Sequence, residues 1–255
     1  MAVLTMDTST QALAVGLGDG EQVLVSAVSL IPRAHSRLLQ PMLQQLLEKA
    51  GLTARDLTEI AVGVGPGSYT GVRLAVATVK AMALALNIPV IPIPTLAALA
   101  EAACPGETLQ STYVMPLVYA RRERAFGAIY KKTGVQWTCT DEAQVLQVAD
   151  WMERLHEYRA NVPDSYCVVV HDFSGRSDAA AAKSLEDGRT FVNAVLPLAS
   201  VAGNLGAAMQ RIATRQDFGC TPRNGEDIHA LVPEYALRVE AEVKQSERGT
   251  VDGTS

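Results

Sequence analysis

The chain has 255 residues, of which 48% are hydrophobic and 19% charged. This is enough apolar material for one large domain or two small ones, and it excludes a disordered polymer. The formal net charge of -5 argues against a protein that grips RNA or DNA alone, because phosphate neutralisation supplies most of that affinity; a local basic patch is still allowed.

Cys104, Cys139, Cys167 and Cys220 are scattered and form no CxxC pair. They read as reduced thiols of a cytoplasmic protein rather than as disulfides or a zinc site. No charged segment precedes the first apolar stretch, and Asp7 interrupts it, so a signal peptide is not expected. The longest apolar run, residues 72–93, is broken by Arg73, Lys80, Asn87, Pro89 and Pro92. It does not read as a membrane span.

In chain order, residues 1–6 form a short apolar strand that ends at Asp7-Thr8-Ser9-Thr10. Residues 12–17 and 22–30 follow as strands, with Asp19-Gly20 as the turn between them. Residues 36–50 read as a helix, because Leu38, Leu39, Met42, Leu43, Leu46 and Leu47 recur at spacings of three and four. Ser36 is the expected cap, Gly51 the expected stop, and Pro41 the site of an expected irregularity. Residues 53–57 suit a short helix and 60–64 a buried strand. A long helix is expected over 70–86, a strand over 90–93, and a helix over 95–103 with Thr95 as its cap. Cys104-Pro105-Gly106-Glu107 marks the clearest boundary. Beyond it, strands are expected at 113–119, 125–131 and 166–170, loop or helix at 141–149, and helices at 150–159 and 199–214. Residues 221–227 read as a mobile loop, and 239–255 as a disordered polar tail. Each half therefore offers strands first and then helix–strand alternation, an α/β pattern with one mixed sheet per half. No residue-level repeat relates the halves.

The segment Gly63-Val64-Gly65-Pro66-Gly67-Ser68-Tyr69-Thr70-Gly71-Val72-Arg73 joins a strand to a helix. Backbone N–H groups at such a junction can hold an anion, but the spacing fits neither GxGxxG nor GxxxxGK[ST]. Gly65, Pro66, Gly67 and Gly71 are read as a structural loop. The helix after it carries only two charges, Arg73 and Lys80, on one face with Val76 and Ala77. So apolar a helix must be buried on most sides, in the chain's own core or in a subunit interface; the residues leave both open. The Asp7 turn suits turn capping or a phosphate or metal contact equally. His171-Asp172-Phe173-Ser174-Gly175 is expected to be its counterpart in the second half, and it lacks the glycine pair that admits a phosphate. His35, His156, His171 and His229 form no HxxH, HxxxH or HExxH pattern, so no metal site is expected. No GxSxG elbow is present. Arg121-Arg122-Glu123-Arg124 is the one basic run. It reads as a solvated hairpin, with an RNA contact as the lesser alternative.

Three of these segments together, Met6-Asp7-Thr8-Ser9-Thr10, Arg33-Ala34-His35-Ser36 with its leucine helix, and Gly63 to Arg73, resemble the TsaB (YeaZ) family. The resemblance runs from residue 1 to about 103, and Pro233-Glu234-Tyr235-Ala236-Leu237-Arg238 resembles the family's closing segment. It implies two actin-like (ASKHA, ribonuclease H-like) subdomains: 1–103, joined by part of about 200–238, and 108–199. It implies a bacterial cytoplasmic scaffold, with no catalytic residue, for N6-threonylcarbamoyladenosine formation at position 37 of tRNAs that read ANN codons. The implied partners are a TsaD-like transferase, a TsaE-like ATPase and a second copy of the chain, with no strong direct nucleic-acid binding and no membrane. It places the interface on His35, Leu38, Leu39 and Met42 of the first helix and Arg73, Val76, Ala77 and Lys80 of the second. No cofactor is implied, with ATP or ADP at most weakly held at a partner interface or touched by Asp7 and Thr8. Tyr119 stands where the family has Asp, and His171 where it tends to have glycine. An actin-fold ATPase or small-molecule kinase using Asp7 and Asp172 is the alternative reading, and a glycoprotease-like peptidase a remote one.

Overall fold

A computed structural model describes residues 1–175 and 178–233. The resemblance at 234–238 and the tail at 239–255 lie outside the described residues. Two five-stranded sheets organise the chain. The first contains β1 (Ala2–Asp7), β2 (Leu13–Asp19), β3 (Gln22–Ser29), β4 (Leu57–Gly63) and β5 (Val90–Ile93). Its order is β3-β2-β1-β4-β5, with β1–β2 and β2–β3 antiparallel and β1–β4 and β4–β5 parallel. Helix α1 (His35–Ala50) lies between β3 and β4, α2 (Tyr69–Leu86) between β4 and β5, and α3 (Thr95–Ala103) follows β5.

The second sheet contains β6 (Thr108–Tyr119), β7 (Arg124–Gly134), β8 (Gln136–Gln147), β9 (Tyr166–His171) and β10 (Ala194–Pro197). Its pairing repeats the first: β6–β7 and β7–β8 antiparallel, β6–β9 and β9–β10 parallel. Helix α4 (Val148–Asn161) lies between β8 and β9, and α5 (Ala179–Gly188) between β9 and β10. After β10 come α6 (Leu198–Val201), α7 (Leu205–Arg215) and the short α8 (Glu226–His229). Thus β6 is the counterpart of β1, and β9 of β4. Two mixed sheets of this order, flanked by helices, make the actin-like architecture that the resemblance implies.

Several expectations need correction. Residues 141–149, read as loop or helix, belong mainly to β8; its edge position leaves most of its side chains at least partly exposed, so no apolar alternation marks it. Residues 53–57 do hold the short helix expected there, as a single 3₁₀ turn at Ala54–Asp56 with Thr53 at its N-cap. Ser36 is not the cap of α1, which starts at His35 without a side-chain cap, whereas Gly51 ends it in the left-handed conformation. Residues 221–227 are anchored: Arg223 and Val90 exchange backbone hydrogen bonds of 2.8 and 2.9 Å.

One core cluster spans both sheets. It joins Ala14, Ile91 and Ile93 of the first to Val114, Ala128 and Val168 of the second, through α3 and α7. A buried ionic group lies beside it. Glu101 of α3 accepts hydrogen bonds from Lys132 (3.0 Å), from the Trp137 indole (2.7 Å) and from Arg211 of α7. Lys132 also donates to the Cys104 carbonyl at 2.6 Å. Glu101 and Lys132 have no exposed side-chain surface, and burial of that kind is tolerated only where every charge is paired.

Candidate functional site

The turn after β1 is enclosed by the glycine-rich loop after β4. Asp7 is 1% exposed and Thr8 0%. The Asp7 carboxylate accepts from the Ser9 N–H at 2.6 Å and from the Thr95 hydroxyl at 2.7 Å. Thr8 Oγ1 donates to the Gly71 carbonyl at 2.6 Å, and the Ser68 N–H donates to the Ser9 carbonyl at 2.6 Å. The Gly65 N–H donates to Thr95 Oγ1 at 3.2 Å, and the Gly71 N–H to Ser68 Oγ at 3.3 Å. These backbone donors, which in an anion-binding loop would face a ligand, are engaged inside the protein.

Glycine is required here by proximity. A Cβ on Gly67 would lie 2.2 Å from the Ser9 carbonyl oxygen, and one on Gly71 2.0 Å from that of Thr8. The Gly65–Pro66 peptide is cis and buried. Burial pushes the Asp7 carboxyl up from its ordinary value, against the hydrogen bonds from Ser9 and Thr95 and the field of His35, which pull it down. Asp7 and Thr8, the two residues expected to retain a nucleotide contact, are both buried beneath the chain's own loop. Sequence reasoning missed Thr95, read only as a helix cap. Its hydroxyl bridges Asp7 and Gly65, a link between residues 30 and 88 positions apart that no local signal carries.

The counterpart in the second half is not where sequence alone placed it. Because β6 and β7 correspond to β1 and β2, the turn equivalent to Asp7–Thr10 is Ala120 to Glu123. His171–Gly175 follows β9 and so corresponds to the glycine loop after β4. Asp172 is buried at 3% exposure and accepts the Tyr119 N–H at 2.7 Å. His171 Nδ1 accepts from the Phe173 N–H at 3.3 Å. Burial, then the charge of Arg189, holds its imidazole below the usual range. Gln11 crosses between the halves, donating to the Asp172 carbonyl at 2.8 Å. Among the described residues, no group of three or more His, Cys, Asp or Glu side chains is placed to hold a metal.

The two helices proposed as a contact surface divide into a core face and an outer face. Leu39 (0% exposed) and Val76 (4%) belong to the core against the first sheet. Both were expected at the interface and both lie on the core face instead; the i, i+4 pattern alone does not tell the inner face of an apolar helix from its outer one. Lys80 is also turned inward: its ammonium donates to the carbonyls of His229 (2.7 Å) and Leu231 (3.1 Å) and so ties α8 to α2. Leu38 and Met42 are half-buried and pack against the same core, and His35 is half-buried at the start of α1. Arg73 is exposed and its guanidinium lies 4.2 Å from the centroid of the Tyr69 ring. Ala77, Ala81, Leu84 and Ala85 continue this outer stripe, and Leu84 is 42% exposed. By length and composition α2 is apolar enough to cross a membrane, yet Val72, Ala75, Val79 and Ala83 sit in the sheet core. Its hydropathy thus has two origins, a core face and a stripe of small and apolar residues.

A model of the family described as TsaD, tRNA N6-adenosine threonylcarbamoyltransferase, matches residues 29–243. The tRNA threonylcarbamoyladenosine biosynthesis protein TsaB of Bacillus subtilis is 28% identical over 247 residues, 96% of this chain and 97% of that one. TsaB of Escherichia coli is 33% identical over 133 residues, 52% of this chain and 56% of the relative, so the match spans about half of each. Among solved structures, YeaZ from Pseudomonas aeruginosa has a TM-score of 0.68 at 24% identity, over 92% of this chain and 99% of that one. That likeness is one of fold.

Proposed function

The chain belongs to the TsaB (YeaZ) group within the TsaD family, with a role in forming threonylcarbamoyladenosine in tRNA, and on that premise we propose that it is a non-catalytic partner subunit of the transferase that performs the modification. In this reading the transferase is TsaD-like, a TsaE-like ATPase joins the pair, and the target is position 37 of tRNAs that read ANN codons in the cytoplasm. The observation that carries the reading is the sealed Asp7 turn. A phosphate loop must present free N–H groups to an anion, whereas here the N–H groups of Ser9, Gly65, Ser68 and Gly71 and the Asp7 carboxylate are engaged by the chain itself. No nucleotide is assigned to this site.

The partner surface is assigned to the outer stripe of α2, Tyr69, Arg73, Ala77, Ala81 and Leu84, flanked by His35, Leu38 and Met42 of α1. Small residues let a second helix approach closely, and a tyrosine beside an arginine is the composition of an interface anchor. The same stripe serves self-association when the transferase is absent. The test is Ala77→Asp combined with Leu84→Asp. Both positions are exposed, so the chain keeps its fold, and an unpaired charge in an interface costs several kcal/mol. Association with the transferase subunit, followed by light scattering, is expected to be lost. Undiminished association of the variant, or none by the wild-type chain, would sink the reading. Calorimetry with ATP and magnesium provides the opposite arm: tight binding abolished by Asp7→Ala would favour a nucleotide-using enzyme.

A further inference from the structure

The second half leaves its equivalent turn bare. Arg121, Arg122 and Glu123 follow one another in the left-handed region, with φ of 65°, 51° and 63°, and all three are exposed. Such conformations are unfavourable for side chains of this size, and they persist where surrounding contacts over-determine them. The contacts are present. The Ala120 N–H donates to the Arg124 carbonyl at 2.9 Å and the Val148 N–H to the Glu123 carbonyl at 2.9 Å. The Asp178 carboxylate accepts the Glu123 N–H at 2.9 Å and the Ala181 N–H at 3.3 Å. The carboxylates of Asp172 and Asp178 are thus turned onto backbone N–H groups, while the guanidinium groups of Arg121 and Arg122 form no ion pair among the described residues. Glu123 is the acidic side chain left at the tip. The chain as a whole is acidic, so this pair of cations stands out from its background.

We propose that the β6–β7 turn is a phosphate-binding site for the RNA backbone, with Arg121 and Arg122 as its two cations. The choice of RNA, rather than another polyanion, rests on the partner-subunit reading given above. A free phosphate needs convergent donors around it. An exposed hairpin tip with two guanidinium groups instead suits successive phosphates of an extended strand, each taken by one planar fork. Two such contacts position a nucleic acid without reading its sequence, which fits a subunit that supports a modifying enzyme and cannot hold RNA tightly by itself.

The experiment measures the affinity of an unmodified tRNA reading an ANN codon for the full-length chain together with its transferase subunit. Fluorescence anisotropy is followed between about 50 and 200 mM salt. Each phosphate contact contributes about 0.7 to 0.9 to the slope of log affinity against log salt, so Arg121→Ala with Arg122→Ala is expected to reduce the slope by roughly 1.4 to 1.8. Arg121→Lys with Arg122→Lys is expected to restore most of it, because charge carries this term. An unchanged slope with the protein complex intact would overturn the proposal. So would weakened affinity at unchanged slope, loss of transferase association in the alanine variant, which would make the turn a protein contact, or displacement of the tRNA by inorganic phosphate well beyond that caused by chloride at the same ionic strength. A wild-type chain that fails to bind the transferase subunit marks failure of the partner reading instead, since that readout does not involve RNA.

Discussion

The turn after β1 and the turn after β6 occupy one station in two copies of the same topology, and they have opposite surroundings. Asp7, Thr8, Ser9 and Thr10 are buried under a loop made thin by glycine. Arg121, Arg122 and Glu123 stand in solvent on a backbone held by Asp178. Strand order does not decide whether such a turn is a site; the segment after the fourth strand of each sheet does. In the first half that segment folds over the turn and takes up its polar groups. In the second, it supplies Asp172 from below and leaves the tip open.

The largest expected effect comes from forcing the sealed turn apart. In Gly71→Val the new side chain meets the Thr8 carbonyl, a backbone group that cannot swing away. A loss of about 3 kcal/mol or more is expected from overpacking, measured by urea unfolding. In the corresponding loop, Gly175→Ala meets nothing within 4 Å and carries only the penalty of its φ of +73°, about 1 kcal/mol. Equal losses at the two positions would erase the contrast.

A second effect separates the turns by pH. Folded Asp7 holds its proton more tightly than the unfolded chain, because its carboxyl is raised above the ordinary value of 3.8. The stability contributed by its protonated form is full below 3.8 and falls as pH rises through the folded value. Asp7→Asn is expected to remove that fall, seen as a difference between the two unfolding free energies that changes as pH rises above 3.8. A constant difference across this window would show that Asp7 is not buried as described.

Smaller effects are expected at the open turn. Asp178→Ala removes one acceptor shared by the Glu123 N–H and the α5 terminus, at a cost of about 1 kcal/mol, with the Glu123 amide exchanging faster with solvent. Arg121→Ala with Arg122→Ala is expected to change stability by at most about 0.5 kcal/mol, since both side chains are exposed. A large loss of stability there would make the arginines structural and would weaken the case for a ligand.

Much of the first half was legible in sequence. The leucine spacing located α1 within a residue of its observed start, and the apolar runs located β1, β4 and β5. The second half was harder. Strand β8 was hidden by its exposure at a sheet edge, and α5 and β10 were short and carried little periodicity. The sequence alone places the counterpart of the Asp7 turn at His171–Gly175, after β9. Pairing of β6 with both β7 and β9 moves that counterpart to Ala120–Glu123.

What the sequence determined by itself was local: which stretches are apolar at a period of two or near four, where glycine interrupts them, and which short segments resemble a known family. Those are properties of neighbours along the chain, and steric and burial preferences act on them directly. The closure of the glycine loop on Asp7, the inward turn of Lys80, the choice of outer stripe on α2 and the bare arginine turn were decided by the tertiary structure. Each depends on groups tens of residues apart meeting at hydrogen-bonding distance, and burial of a polar group is stable only once such a partner has arrived.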